Sequence, residues 1–273
     1  MSDPVTLAVL AGAAAGGAAG KFTEIAVESG KHWIGKYFNN HQPKSQEKAQ
    51  QNGFDFLTEL AIRIKALEES NIVTQEKIEN IQEDPDFSAA LQKALISSAQ
   101  TENKEKHKLL AEILSQRLTV EAESLLALTT KMALDVVSFL TPNQLNILAV
   151  IVSIFNLTPT QPLDSKNYDL WLNSNFKPYL HVTISNLDLM HLESLSCLKI
   201  NSIIGRDLRD FLTEKNNNIS PSPSFFEMKY GKSIKSLWDR KLETVDVTSV
   251  GLLIGMNIYS LKNNTPFPKH IFN

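Results

Sequence analysis

Apolar residues recur at three- and four-residue intervals through most of the first 155 positions, the spacing of one side of an α-helix. Leu57, Leu60, Ala61, Ile64 and Leu67 form one stripe, with Glu59, Arg63, Glu68 and Glu69 off it. The polar segment HQPKSQEKAQQNG before it reads as a connection, or as the exposed start of the same helix. Ile72, Ile78 and Ile81 continue a weaker helical pattern. At EDPDF, Asp84 can cap a helix and Pro85 suits its first position, where the missing N–H costs nothing. Phe87, Ala90, Leu91, Ala94, Leu95 and Ser98 then share a face. After the polar break TENKEK come Leu109, Leu110, Ile113, Leu114 and Leu118, and then Leu125, Leu128, Met132, Val136 and Phe139. Short polar turns between such stripes predict antiparallel neighbours in a bundle.

The clearest helix start is LTPNQLNIL. Thr141 is a good N-cap, Pro142 fits the next position, and Gln144 stands where a capping-box partner belongs. This helix is expected to run to about Phe155, where NLTPTQPLDS breaks it and the chain changes character. HVTISNLDLMHLESLSCLKI reads as a loop, a short helix with Leu187, Met190, His191 and Leu195 on one face, and a strand over Cys197–Ile203. A short helix is expected over Asp207–Thr213, a flexible loop at NNNISPSPS, and a helix over Met228–Lys241. A strand at Val245–Val247 then leads to a last apolar helix capped by Thr248 or Ser249. The predicted fold class is mainly α: an N-terminal helical bundle, then a winged-helix-like α+β region. About forty residues intervene between its strands, so the wing carries a long insertion where a tight hairpin is usual. The expected divisions are 1–40, 41–140 and 141–273.

The opening stretch, VTLAVLAGAAAGGAAGKF, has a pattern of its own. It is uncharged from Val5 to Gly20, and Ala8, Gly12, Gly16 and Gly20 recur every fourth position. It does not fit a phosphate loop: Ala15 stands where the Walker pattern needs glycine and Phe22 where it needs Ser or Thr. It is also a poor membrane span. Its helix would be ~24 Å long against a hydrocarbon core of ~30 Å. Nor does it look like an export signal, since Asp3 precedes the apolar run and Lys21 follows it. Two readings stay open. In one, the small residues let another helix of the same protein approach, which would offset roughly 1 kcal/mol per helical glycine relative to alanine. In the other, the small-xxx-small spacing lets copies associate within lipid. Leu7 and Leu10 would then face lipid, and Phe22, Trp33, Tyr37 and Phe38 would continue an amphipathic, basic and aromatic segment suited to headgroups.

Composition narrows the function. The 27 basic and 30 acidic residues leave a net charge of −3, which is no general footprint for nucleic acid. Lys199, Arg206 and Arg209 could meet a phosphate backbone locally. The helix that would enter a groove, NLDLMHLESL, carries Asp188 and Glu193 and no Arg or Lys, so nucleic-acid contact is the weaker reading. The single cysteine, Cys197, sits between apolar residues, has no partner for a disulfide, and points to a reducing compartment. The six histidines show no metal spacing, and His191-Leu192-Glu193 lacks a second histidine. No metal, cofactor or catalytic set is expected, and the chain does not read as an enzyme.

PDFSAALQKALISSAQTENKEKHKLLAEIL, LTPNQLNIL, HLESLSCLKI and VTSVGLLIGMNIY together resemble the alpha-type bacterial abortive-infection proteins and a related set of bacterial helical proteins. The resemblance runs from about Asp84 to Lys262, with Thr248 and Gly251 filling a closing Leu-Thr-x-x-Gly motif in which Val247 replaces leucine. It implies antiphage defence and carries over no catalytic residues. Two functions are therefore expected to compete. One is a non-enzymatic effector that self-associates and is held quiet in the cytoplasm by a defence-system partner. On release it would perturb the inner membrane through its glycine-zipper segment. The other is a helical protein-interaction or DNA-binding regulator whose glycine-rich helix packs internally.

Overall fold

The computed structural model describes residues 17–81, 83–121, 123–201 and 205–267. They hold twelve α-helices and one two-stranded antiparallel sheet. The chain divides into two compact units between Phe139 and Leu140.

The first unit is all helix: α1 (Gly17–Tyr37), α2 (Pro43–Glu69), α3 (Gln75–Ile81), α4 (Pro85–Ala99), α5 (Lys104–Arg117) and α6 (Leu125–Phe139). From Pro43 onward the polar HQPKSQEKAQQNG segment belongs to α2, which buries Ala49, Gly53, Phe54, Phe56, Leu57, Leu60, Ala61 and Ile64. Helix α2 is the hub, with α1, α4 and α5 packed around it. Local chemistry sets the helix starts. Asp84 accepts from the Asp86 amide, and Asn103 accepts from the amides of Glu105 and Lys106. Each satisfies donors that an uncapped helix would leave open.

Helix α6 departs from the expected packing. Its stripe of large residues is the open side: Leu125, Leu128, Met132 and Phe139 are exposed, and Val136 is half-buried. The buried side is made of Ala127, Thr129, Thr130, Ala133, Leu134 and Val137. Small side chains let this helix come close to α4 and α5, so the sequence offers two apolar faces and the smaller one takes the core.

The second unit is built on α7 (Pro142–Phe155), in which every residue from Gln144 to Ile154 is buried. A helix that is apolar on all sides belongs at the centre of a domain. Its start is the predicted one: Thr141 accepts from the Gln144 amide at 3.2 Å, and the Gln144 side chain accepts from the Thr141 amide at 3.0 Å. Around it lie α8 (Ser165–Phe176), α9 (Asn186–Ser194), α10 (Leu208–Lys215), α11 (Lys229–Trp238) and α12 (Ser249–Asn263). Strand β1 (Leu198–Ile200) pairs with β2 (Val245–Val247), Lys199 standing opposite Asp246. Helix α8 has no counterpart in the sequence reading. On α9, Leu189 and Leu192 face inward while Leu187 and Met190 are exposed, the reverse of the expected face.

The most extensive helix packing of the unit is α7 against α12. A Cβ on Gly255 would lie 2.6 Å from the Leu148 carbonyl oxygen and 2.6 Å from Val152 Cγ2. Gly251, one turn earlier, lies against the Cys197 backbone, where a Cβ would come within 2.0 Å of the carbonyl oxygen. Thr248 ties the same place. Its hydroxyl donates to the Ser196 carbonyl at 2.6 Å and accepts from the Gly251 amide at 3.2 Å, and its own amide donates to the Cys197 carbonyl. The Thr-x-x-Gly motif is therefore the joint between the strand ribbon and α12.

Candidate functional site

Ala8, Gly12, Gly16, Leu7 and Leu10 lie outside the described residues. The rest of the opening segment forms α1, whose inward side runs Ala19, Phe22, Thr23, Ala26, Val27, Gly30, Ile34, and on to Phe38 just past the helix end. Gly20 and Trp33 are half-buried and Tyr37 is exposed. Small residues set the approach. A Cβ on Gly30 would sit 3.0 Å from Leu95 Cδ2, and one on Gly53 of α2 would sit 2.4 Å from Ile34 Cδ1. Phe22 meets Phe87 edge-to-face with centroids 5.9 Å apart. The Ala19 amide donates to Glu68, and the Gln46 side chain closes the α1–α2 turn by donating to the Asn39 and His41 carbonyls. The outward side is charged: Lys21, Glu24, Glu28, Lys31, His32 and Lys36.

Beside α1, the outer surfaces of α4 and α6 form a groove of about 590 Å³. Ala90, Lys93 and Ile96 line it from α4, and Lys131, Asp135 and Phe139 from α6, with Tyr37 beside them. The Tyr37 hydroxyl accepts from the Gln100 side chain at 3.0 Å. The groove's charges are already matched within the chain: Lys93 pairs with Asp135, and Lys131 with Asp86. Asp86 also receives Arg117, whose side chain is 4% exposed, at 3.1 Å. The hydrogen bond from Lys131 does most to hold the Asp86 carboxyl below its ordinary range, with Arg117 adding to it. Asp86→Ala would leave the Arg117 guanidinium buried without its partner. It is expected to cost about 3 kcal/mol in denaturant unfolding at neutral pH, and the loss should shrink as acid protonates Asp86 in the parent.

In the second unit, Lys199 is exposed on β1 and Arg209 is exposed on α10. Arg206 is turned into the structure. Its guanidinium lies 4.8 Å from the Phe155 ring centre and 5.6 Å from that of Phe211, donates to the Glu243 and Val245 carbonyls, and pairs with Asp246 at 3.1 Å. Phe155, Phe211 and Trp238 close this cluster, and the Trp238 indole donates to the Arg206 carbonyl at 2.7 Å. The three basic residues thus sit in different settings, with Arg206 committed to internal contacts.

Lys215 borders the same cluster. It donates to the Ile154 carbonyl and lies 5.8 Å from the Phe211 ring centre. Burial pulls its amine down to about 7. An unfolded chain would hold that proton to about pH 10.4. Between those values the unfolded state binds the extra proton, so stability rises with pH there, by at most about 1.4 kcal/mol per unit. Lys215→Met is expected to flatten this rise in urea unfolding measured from pH 7 to 10.

Sequence reasoning did not reach the α4–α6 groove, because it depends on which side of α6 is open. Among the described residues, no cluster of three His, Cys, Asp or Glu could hold a metal. His107 is a core histidine whose Nε2 meets the carbonyls of Ser98 and Thr101. Cys197 is fully buried, and its thiol is pushed up to about 12 by burial. No described helix is long and apolar enough to cross a membrane.

A family model matches residues 20–221, under the description ":-like", which carries no functional word. The chain belongs to the family that this model defines. The match begins inside α1, so it takes in the helices before Asp84, and it ends before α11, β2 and α12. No curated protein and no solved structure is matched.

Proposed function

We propose that this protein is a non-enzymatic helical interaction protein of bacterial antiphage defence, acting by binding other protein surfaces with α1 kept inside the first unit. One observation supports this reading: the side of α1 that runs from Ala19 through Ala26 and Gly30 to Ile34 is spent on internal packing. Ala19, Ala26 and Gly30 are buried, and Gly30 and Gly53 hold α1 against α2 and α4 at distances a larger side chain would disturb. The packing role falls on Ala19, Ala26 and Gly30; Gly20 is half-buried, and Gly35 is exposed with open space around it. The defence setting comes from the resemblance to alpha-type abortive-infection proteins. The winged-helix-like character of the second unit, with its long insertion between β1 and β2, fits an assembly module better than a DNA reader: its exposed α9 side chains include Leu187 and Met190, and Arg206 is held internally.

A second reading, membrane action through the opening segment, keeps one supporting feature. The outer side of α1 carries Lys31, His32, Lys36 and Tyr37, a basic and aromatic set that suits headgroups. In that reading the docked α1 is the quiet state, and a partner would have to favour its release.

The test is phage challenge of bacteria carrying the full chain or Gly12→Leu/Gly16→Leu. Where circular dichroism shows the double variant folded like the parent, the interaction reading expects both to lower plaque formation equally. Loss of protection in the double variant at unchanged protein level would transfer the function to the membrane reading. No protection by the parent chain against a broad phage panel would remove the defence setting.

A further inference from the structure

The apolar side of α6 is long, open and symmetric about one residue. Leu125, Leu128, Met132 and Phe139 are 72%, 43%, 50% and 65% exposed, and Val136 is half-buried between them. At about 100° per residue the five fall within about 80° of arc, a stripe about 21 Å long. Their spacing about Met132 is −7, −4, 0, +4 and +7, so the stripe reads the same in both directions.

We infer that this stripe is a homodimer interface in which α6 of two copies pack antiparallel about a two-fold axis at Met132. An isologous contact must be self-complementary: if residue i meets j, then j meets i. A palindromic stripe has this property. Met132 meets Met132 of the second copy, Leu128 meets Val136, and Leu125 meets Phe139. Large and smaller side chains alternate across the pair, and the unbranched methionines can adjust at the axis. The flanking charges do not oppose the contact, since Lys131 and Asp135 are paired within each copy, to Asp86 and Lys93.

The area is sufficient for a modest dimer. Four exposed side chains of about 150–200 Å² each, at these exposures, offer roughly 400 Å² of apolar surface per copy. With Val136 and the groove residues Ile96 and Tyr37, the total over two copies reaches about 1,000 Å², the lower bound for a specific interface.

Sedimentation of the full chain and Met132→Asp tests the interface, with circular dichroism and thermal unfolding as fold controls. The parent is expected to be a dimer at tens of micromolar. The variant, which places two carboxylates at the axis, should dissociate at least ~100-fold more readily with an unchanged melting temperature. Linking with a short bis-maleimide, which adds one cysteine thiol at each end, tests the direction. Met132→Cys should link to itself, and Leu125→Cys should link to Phe139→Cys on mixing but not to itself. Cys197 is buried and gives no competing product. A monomeric parent, a dimer untouched by Met132→Asp, or self-linking of Leu125→Cys would each overturn the proposal. It stands independently of the defence setting, which the phage challenge tests separately.

Discussion

Gly251→Ala is expected to destabilise the second unit by 4 kcal/mol or more, roughly the upper limit for a point substitution. Most glycine-to-alanine changes within a helix help, by up to about 1 kcal/mol. Here the added Cβ would lie 2.0 Å from the Cys197 carbonyl oxygen, 2.9 Å from its carbon and 3.2 Å from its Cα. These are backbone atoms, and they cannot step aside cheaply. Cys197 precedes β1, and its carbonyl accepts from the Thr248 amide just ahead of α12. Moving it would break the joint that Thr248 makes with Ser196. Thr248→Ala removes the cap and that hydroxyl bond but introduces no clash, so it should cost only about 1–2 kcal/mol. Thermal or urea unfolding of the two variants checks both values. A mild Gly251→Ala would mean that α12 is not seated on the ribbon as described.

Ile34→Asp is the second large effect, and it also bears on function. Ile34 is 1% exposed on the inner side of α1 and fills the space left by Gly53 of α2. A carboxylate there would lie over Gly53 of α2, where Leu95 closes on the same glycine. The expected loss is 4 kcal/mol or more, either as unfolding or as release of α1 from the unit. Ile34→Val should cost only about 1 kcal/mol. Hydrogen exchange can separate the two outcomes of Ile34→Asp: release of α1 would deprotect its amides while those of α5 stay slow. If the protein acts by binding with α1 docked, either outcome abolishes protection in phage challenge.

Where a helix begins was written plainly in the sequence. Asp84-Pro85 and Thr141-Pro142 with Gln144 place a cap and a proline where an isolated turn already prefers them, and both sites cap as the residues suggest. Strand Val245–Val247 and the helix after Thr248 were legible for the same reason. Which side of a helix faces inward was less legible. On α6 the eye follows the large residues, yet close approach to α4 and α5 selects Ala127, Thr130 and Ala133. On α9 the apolar residues at 187, 189, 190 and 192 allow two faces, and the packing chooses Leu189 and Leu192. Helix α8 was lost among polar residues, although Asp164 caps it and Tyr168, Leu172 and Phe176 mark its inner side. The candidate groove depends on the open side of α6, so it could not be read before the packing was known.

The account rests on α1 being a structural helix. The most direct measurement is dye release from phosphatidylethanolamine–phosphatidylglycerol vesicles by the purified full chain and by Ile34→Asp. The account predicts intact vesicles with both proteins, the variant having lost only its fold or its docked helix. Release by the variant, in which α1 has been freed, or by the parent, would contradict it and assign the opening segment to the bilayer.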